Sequence, residues 1–111
     1  MVDLYWEDDT HKRYGVLVSA GFGAGWSSWS DEALAYDRKV IEYWLEHKYS
    51  HLDEVKEWLA ANGYPHTYVS ETNWRTLQLE WVSAGAYWRI HEYDGAESIE
   101  FLNLDNWIHF G

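Results

Sequence analysis

The residues of this chain whose types and spacing could do chemistry fall in two short stretches. The first is Gly21-Phe22-Gly23-Ala24-Gly25-Trp26, after an apolar run and before a serine-rich one. Glycines at alternate positions let backbone N–H groups converge on an anion. Tyr14, Phe22, Trp26 and Trp29 lie near enough in sequence to stack a base. A nucleotide would suit that set, with Gly21, Gly23 and Gly25 on its phosphates. The spacing is neither the dinucleotide fingerprint nor a Walker loop, because no Lys follows. The same glycines would equally let the backbone pass close under Phe22, Trp26 and Trp29.

The second stretch is Arg89-Ile90-His91-Glu92-Tyr93-Asp94-Gly95-Ala96-Glu97-Ser98-Ile99-Glu100. Asp-Gly between two β-prone runs is a two-residue hairpin turn. Counting outward pairs Tyr93 with Ala96, Glu92 with Glu97, His91 with Ser98, Ile90 with Ile99, Arg89 with Glu100 and Trp88 with Phe101. This register joins the apolar pairs and sets Arg89 against Glu100, whereas a one-residue slip would oppose Ile90 to Ser98. It also opposes two carboxylates, Glu92 and Glu97, on the face of Ile90 and Ile99. Solvent, a cation, a basic partner or uptake of a proton must offset their repulsion. Glu92, Tyr93, Asp94, Glu97 and Glu100 are therefore the candidate partner-binding residues. A paired-carboxylate catalytic site would need companions that the sequence lacks.

The elements that must position these stretches can be read from periodicity. Tyr14 to Ala20 is a β-branched run stopped by glycine, hence a strand. A helix follows, begun at Ser28, Ser30 or Asp37, with Val40, Ile41, Trp44 and Leu45 on one face. A second helix starts at a capping-box-like Ser50-His51-Leu52-Asp53 and carries Leu52, Val55 and Leu59. Gly63 forms its left-handed end and Pro65 stops it. His66 to Ser70 reads as a short strand, and Leu77, Leu79 and Trp81 alternate in the next. Ser83-Ala84-Gly85 turns that strand into Tyr87–Tyr93, and Ala96 to Leu102 returns. Trp107, Ile108 and Phe110 make the tail apolar enough to dock. The expected fold is a small single α+β domain spanning 1–111. In it an antiparallel sheet, made of an N-terminal strand and a C-terminal meander, packs with two helices.

Composition narrows the function classes. There is no Cys, so no disulfide or thiolate chemistry is available. His47 and His51 have metal-ligand spacing, but the Ser50 start puts them on different helices. No metal, cofactor or nucleophile motif stands out. Nineteen acidic against eight basic side chains give a net charge of -11. Arg89 is the sole Lys or Arg after Arg75. Nucleic-acid backbones and anionic membranes need clustered cations, so neither is the expected partner. A protein with a basic surface is. Nine Trp and nine Tyr exceed what a chain of 111 residues can bury, and these side chains anchor interfaces. An uncovered aromatic stripe would also suit a homodimer. No run approaches the ~18 apolar residues of a membrane span. The acidic start lacks the basic head and apolar stretch of a signal peptide, so a cytoplasmic location is expected.

Tyr14-Gly15-Val16-Leu17-Val18-Ser19-Ala20-Gly21-Phe22-Gly23-Ala24-Gly25-Trp26-Ser27-Ser28-Trp29 resembles the opening of a group of short, uncharacterised bacteriophage-encoded proteins. Glu80-Trp81-Val82 and Arg89 to Ile99 resemble their C-terminal hairpin. The segments bracket most of the chain, while Asp31 to Arg75 is similar only in being helical. No activity or catalytic residue carries over. The resemblance implies a phage accessory protein in the host cytoplasm. By analogy with small acidic phage proteins, it would bind and inhibit or redirect a host factor, as anti-defence and anti-CRISPR inhibitors do.

Overall fold

A strand rich in Val and Leu with burial on both faces must lie between two layers, and strand β1, Arg13–Ser19, does so. Every residue of it after Arg13 is buried. A computed structural model describes residues 2–101 and 108–109. In it β1 pairs antiparallel with β2, Leu77–Ser83, from Arg13 opposite Ser83 to Ser19 opposite Leu77. The next two strands, β3 (Tyr87–Tyr93) and β4 (Ala96–Phe101), form the hairpin. The observed register is Trp88–Phe101, Arg89–Glu100, Ile90–Ile99, His91–Ser98, Glu92–Glu97 and Tyr93–Ala96, as the turn count requires. Asp94 and Gly95 both have positive φ, 50° and 88°, which matches the right-handed twist of the flanking strands. A short β5, Ile108–His109, pairs with the other edge of β3. Leu102, Trp107 and Phe110, expected in the returning strand and tail, lie outside the described residues.

The α+β class is as expected, but the strands divide over two sheets, β1-β2 and β4-β3-β5, and do not form one meander. The reason lies in the turn after β2. Ala84 N–H donates to the Lys12 carbonyl, continuing the β1 ladder into the turn. Trp88 and Ile90 then pack on the β1 face that carries Tyr14, Val16 and Val18, with Val82 and Ile99. Burying those apolar side chains face to face puts β3 across β1 and not alongside β2. The Trp88 indole N–H donates to Tyr14 OH at 2.7 Å, so the ring is buried with its polar tip satisfied.

The opposite face of β1 meets the helices. Of the three starts open to the first helix, Asp37 is the true one: it caps α1, Arg38–His47, its Oδ1 accepting from Lys39 N–H. Ser27–Trp29 and Glu32–Ala35 are separate single turns of 3-10 helix. Val40, Ile41 and Trp44 enter the core with Leu17, whereas Leu45 is exposed at the edge of that stripe. Helix α2, Leu52–Ala61, buries Val55 and Leu59. Ser50 does not cap it. Its hydroxyl pairs with His47 Nδ1 at 3.1 Å, and His51 precedes the helix without a side-chain cap. Gly63, at φ 100°, ends the helix, and Tyr64 N–H returns to the Leu59 carbonyl.

His66 to Ser70 is not a strand. Val69 turns into the core, and Ser70 starts a one-turn helix, α3, Glu71–Trp74, through a reciprocal capping box with Asn73. Two tryptophans then knit α1 to α3: Trp44 Nε1 donates to the Trp74 carbonyl and Trp74 Nε1 to the His47 carbonyl. Among the described residues no helix is long and apolar enough to cross a membrane.

Candidate functional site

The two stretches singled out by sequence meet. The glycine loop that leaves β1 folds against the turn between β3 and β4, and main-chain bonds join them. Gly23 N–H donates to the Asp94 carbonyl and Gly25 N–H to the Gly95 carbonyl at 2.9 Å. Ser19 Oγ also donates to the Gly95 carbonyl. A Cβ on Gly95 would stand 2.8 Å from the backbone nitrogens of Gly23 and Ala24, so the approach needs a glycine.

Glu97 holds this junction from inside. Its side chain is 4% exposed. Oε1 accepts from Ser19 N–H at 3.1 Å, and Oε2 accepts from the N–H groups of Trp26 and Ser28, each at 3.0 Å. Oε2 also accepts from the Ser28 hydroxyl. Converging main-chain donors around a glycine loop do bind an anion here, and the anion is the protein's own carboxylate. Glu97 is therefore not a partner-facing residue. Its repulsion with Glu92 is offset by these donors, which belong to neither strand of the hairpin. Glu92 itself is exposed, and its Oε2 accepts from Gly95 N–H at 2.8 Å.

The remaining candidates separate by exposure. Tyr14 and Trp26 are fully buried, so neither can stack a ligand. Tyr14 is held under Trp88, and Trp26 meets Trp74 edge-on at 5.7 Å. The N–H groups of Gly23 and Gly25 are taken by the hairpin, and the Ala24 N–H by the Gly21 carbonyl. A phosphate cradle would have to displace all of them. Glu100 lies on the other face of β4, paired with Arg89 Nε and His91 Nδ1, each at 3.1 Å, and so stands apart from the tip.

Phe22, Tyr93, Glu92 and Asp94 remain together at the surface. Phe22 is 73% exposed and Tyr93 70%, yet their rings meet edge-on at 6.1 Å. Two large rings thus stand in water beside two acids on a segment fixed by main-chain bonds, a combination whose chemistry suits contact with an apolar or cationic group. Further along the loop, Trp29 is 43% exposed, and its ring tilts against that of Tyr68 at 5.4 Å.

Sequence reasoning missed the residues that fix these groups: Ser19, Ser28 and Asn73. Asn73 Nδ2 donates to the carbonyls of both Gly25 and Tyr68 at 2.8 Å. Its only local signal is the Ser70-x-x-Asn73 spacing, which marks the cap and not the distant carbonyl. Among the described residues no three His, Asp or Glu side chains gather as metal ligands. Comparison with protein-family models, curated proteins and solved structures gives no match.

Proposed function

We propose that the protein binds a partner protein with a basic surface through the tip formed by Phe22, Tyr93, Glu92 and Asp94. In keeping with the resemblance of its two end segments to phage-encoded proteins, the partner would be a host factor that binding inhibits or redirects, as in anti-defence. The observation that carries the reading is the exposed Phe22–Tyr93 pair. Exposed rings of that size are the usual anchors of interfaces, and the net charge of -11 would steer a basic partner towards them. The main-chain bonds between loop and turn favour binding further, because little ordering entropy remains to be lost.

Affinity capture from bacterial lysate tests it, comparing the native chain with Phe22→Ala/Tyr93→Ala and with Glu92→Lys/Asp94→Lys. The expected result is one protein with a basic surface, retained by the native chain and lost by both double variants. Retention by both would refute the reading. Phe22→Ala/Tyr93→Ala changes only exposed side chains and should keep its stability within about 1 kcal/mol. Glu92→Lys/Asp94→Lys also removes the acceptor of Gly95 N–H. Urea unfolding of both variants is therefore measured beside the capture, and loss of binding counts only for a variant that stays folded.

A further inference from the structure

We infer that a second cleft, beside Trp29, takes the guanidinium of an arginine side chain. The cleft has a volume of about 370 Å³ and is lined by Trp29, Asp31, Pro65 and His66, with Tyr64 behind. It is too small for a helix and large enough for one side chain. The inference rests on this cleft alone and stands whether or not the tip binds a partner.

Three observations set the ligand's chemistry. The flat rings lining it are Trp29 and His66, and Trp29 is braced by Tyr68, whose ring tilts against it at 52° without lining the cleft. A planar cation stacks on such faces. The carboxylate is Asp31. Its Oδ1 accepts from Ala33 N–H at 3.0 Å, while Oδ2 has no hydrogen-bond partner among the described residues. A carboxylate with a free oxygen beside aromatic faces selects a cation that can donate in its plane, which is guanidinium before ammonium. The third is charge: Asp31 and the adjacent Glu32 repel the phosphates that a nucleotide would bring.

The walls are built in advance. Trp29 lies directly on Gly25, where an added Cβ would run into the ring. Asn73 holds the Gly25 carbonyl beneath Trp29 and the Tyr68 carbonyl beneath its partner ring, and Tyr68 N–H donates to Ser30 Oγ at 3.0 Å. One buried amide thus spaces both rings. The protein stacks its own cations on other rings: Lys48 sits 4.2 Å over Trp44, and at the back of this cleft Lys39 sits 5.7 Å over Tyr64. Among the described residues no Lys or Arg does this on Trp29 or Tyr68.

The test is a two-dimensional NMR titration following the Trp29 indole N–H, assigned by its loss in Trp29→Phe. The probes are acetyl-arginine methylamide, the matching citrulline compound, which is the same shape without charge, and adenosine monophosphate. The arginine compound should shift the peak saturably and the other two should not. Asp31→Asn keeps the helix-turn cap and should weaken binding by about threefold or more. Tyr68→Leu, which removes the ring that braces Trp29, should weaken it less than Asp31→Asn does. Phe22→Ala/Tyr93→Ala should leave it unchanged, which separates this site from the tip. An equal response to citrulline, a shift with the nucleotide, or indifference to Asp31→Asn would overturn the inference.

Discussion

Glu97 Oε2 lies 3.0 Å from the backbone nitrogen of Trp26, 71 residues earlier in the chain. A carboxylate on a late strand therefore organises the loop that leaves the first one. Phe22 rides on that loop, so its place beside Tyr93 depends on this bond and its neighbours.

Glu97→Ala should be among the most damaging single changes. It removes the acceptor of three main-chain N–H groups, and a buried unpaired donor costs about 1–3 kcal/mol. Urea unfolding should show a loss of about 3–5 kcal/mol. Glu97→Gln should recover part of this, since its carbonyl can still accept, but its amide would aim a donor at donors. A loss under about 1 kcal/mol for the alanine variant would show that the loop is held by something else.

Gly95 and Gly85 offer a controlled comparison, because their φ values are nearly equal, 88° and 87°. At Gly85 nothing lies within reach of an added Cβ, whereas at Gly95 it meets backbone atoms of Gly23 and Ala24. Gly85→Ala should cost about 1 kcal/mol, the left-handed penalty alone. Gly95→Ala should cost about 2 kcal/mol more, because backbone cannot swing aside as a side chain can. It should also separate the Phe22 and Tyr93 rings, seen as loss of the nuclear Overhauser contacts between them. Equal costs at the two glycines would contradict the close approach of loop and turn.

Stability should fall in alkali. Burial pushes the Tyr64 phenol well above its ordinary range, and its hydrogen bond to the Asp37 carboxylate, at 2.5 Å, adds to the effect. Tyr36 is pushed up to about 12, again chiefly by burial, with Glu32 next. Both groups are neutral when protonated. In the unfolded chain they lose the proton near pH ~10 and in the folded one later, so above ~10 the unfolded state binds fewer protons. Their contribution is complete below that pH and is lost as pH rises towards the folded values. The slope should approach about 1.4 kcal/mol per pH unit per tyrosine. Urea midpoints measured from neutral to strongly alkaline pH should decline accordingly, and less steeply in Tyr36→Phe. A flat profile would mean that neither phenol is shielded as described.

Most of the local structure was legible in the sequence. Asp94-Gly95 with the alternation around it determined the hairpin and its full register, because a one-residue slip turns every side chain to the wrong face. Leu52, Val55, Leu59 and Gly63 determined a helix and its end. The α+β class followed from these periodicities. Errors fell where short polar signals compete. Ser50 looks like a cap but bonds to His47, and Ser70 looks like the end of a strand but starts a helix with Asn73.

The candidate site was legible in composition and not in arrangement. Sequence marked the glycine loop and the acidic hairpin as two places. Only the tertiary structure made them one, by laying β3 and β4 across β1. That packing decided which glutamate points inward, which aromatics are core and which are surface. Opposed residues share one face of a hairpin, so sequence put Glu92 and Glu97 together, but it could not say what lies over that face. For Glu97 the answer is a set of main-chain N–H donors. A backbone donor carries no residue identity, which is why no pattern of side chains announces it.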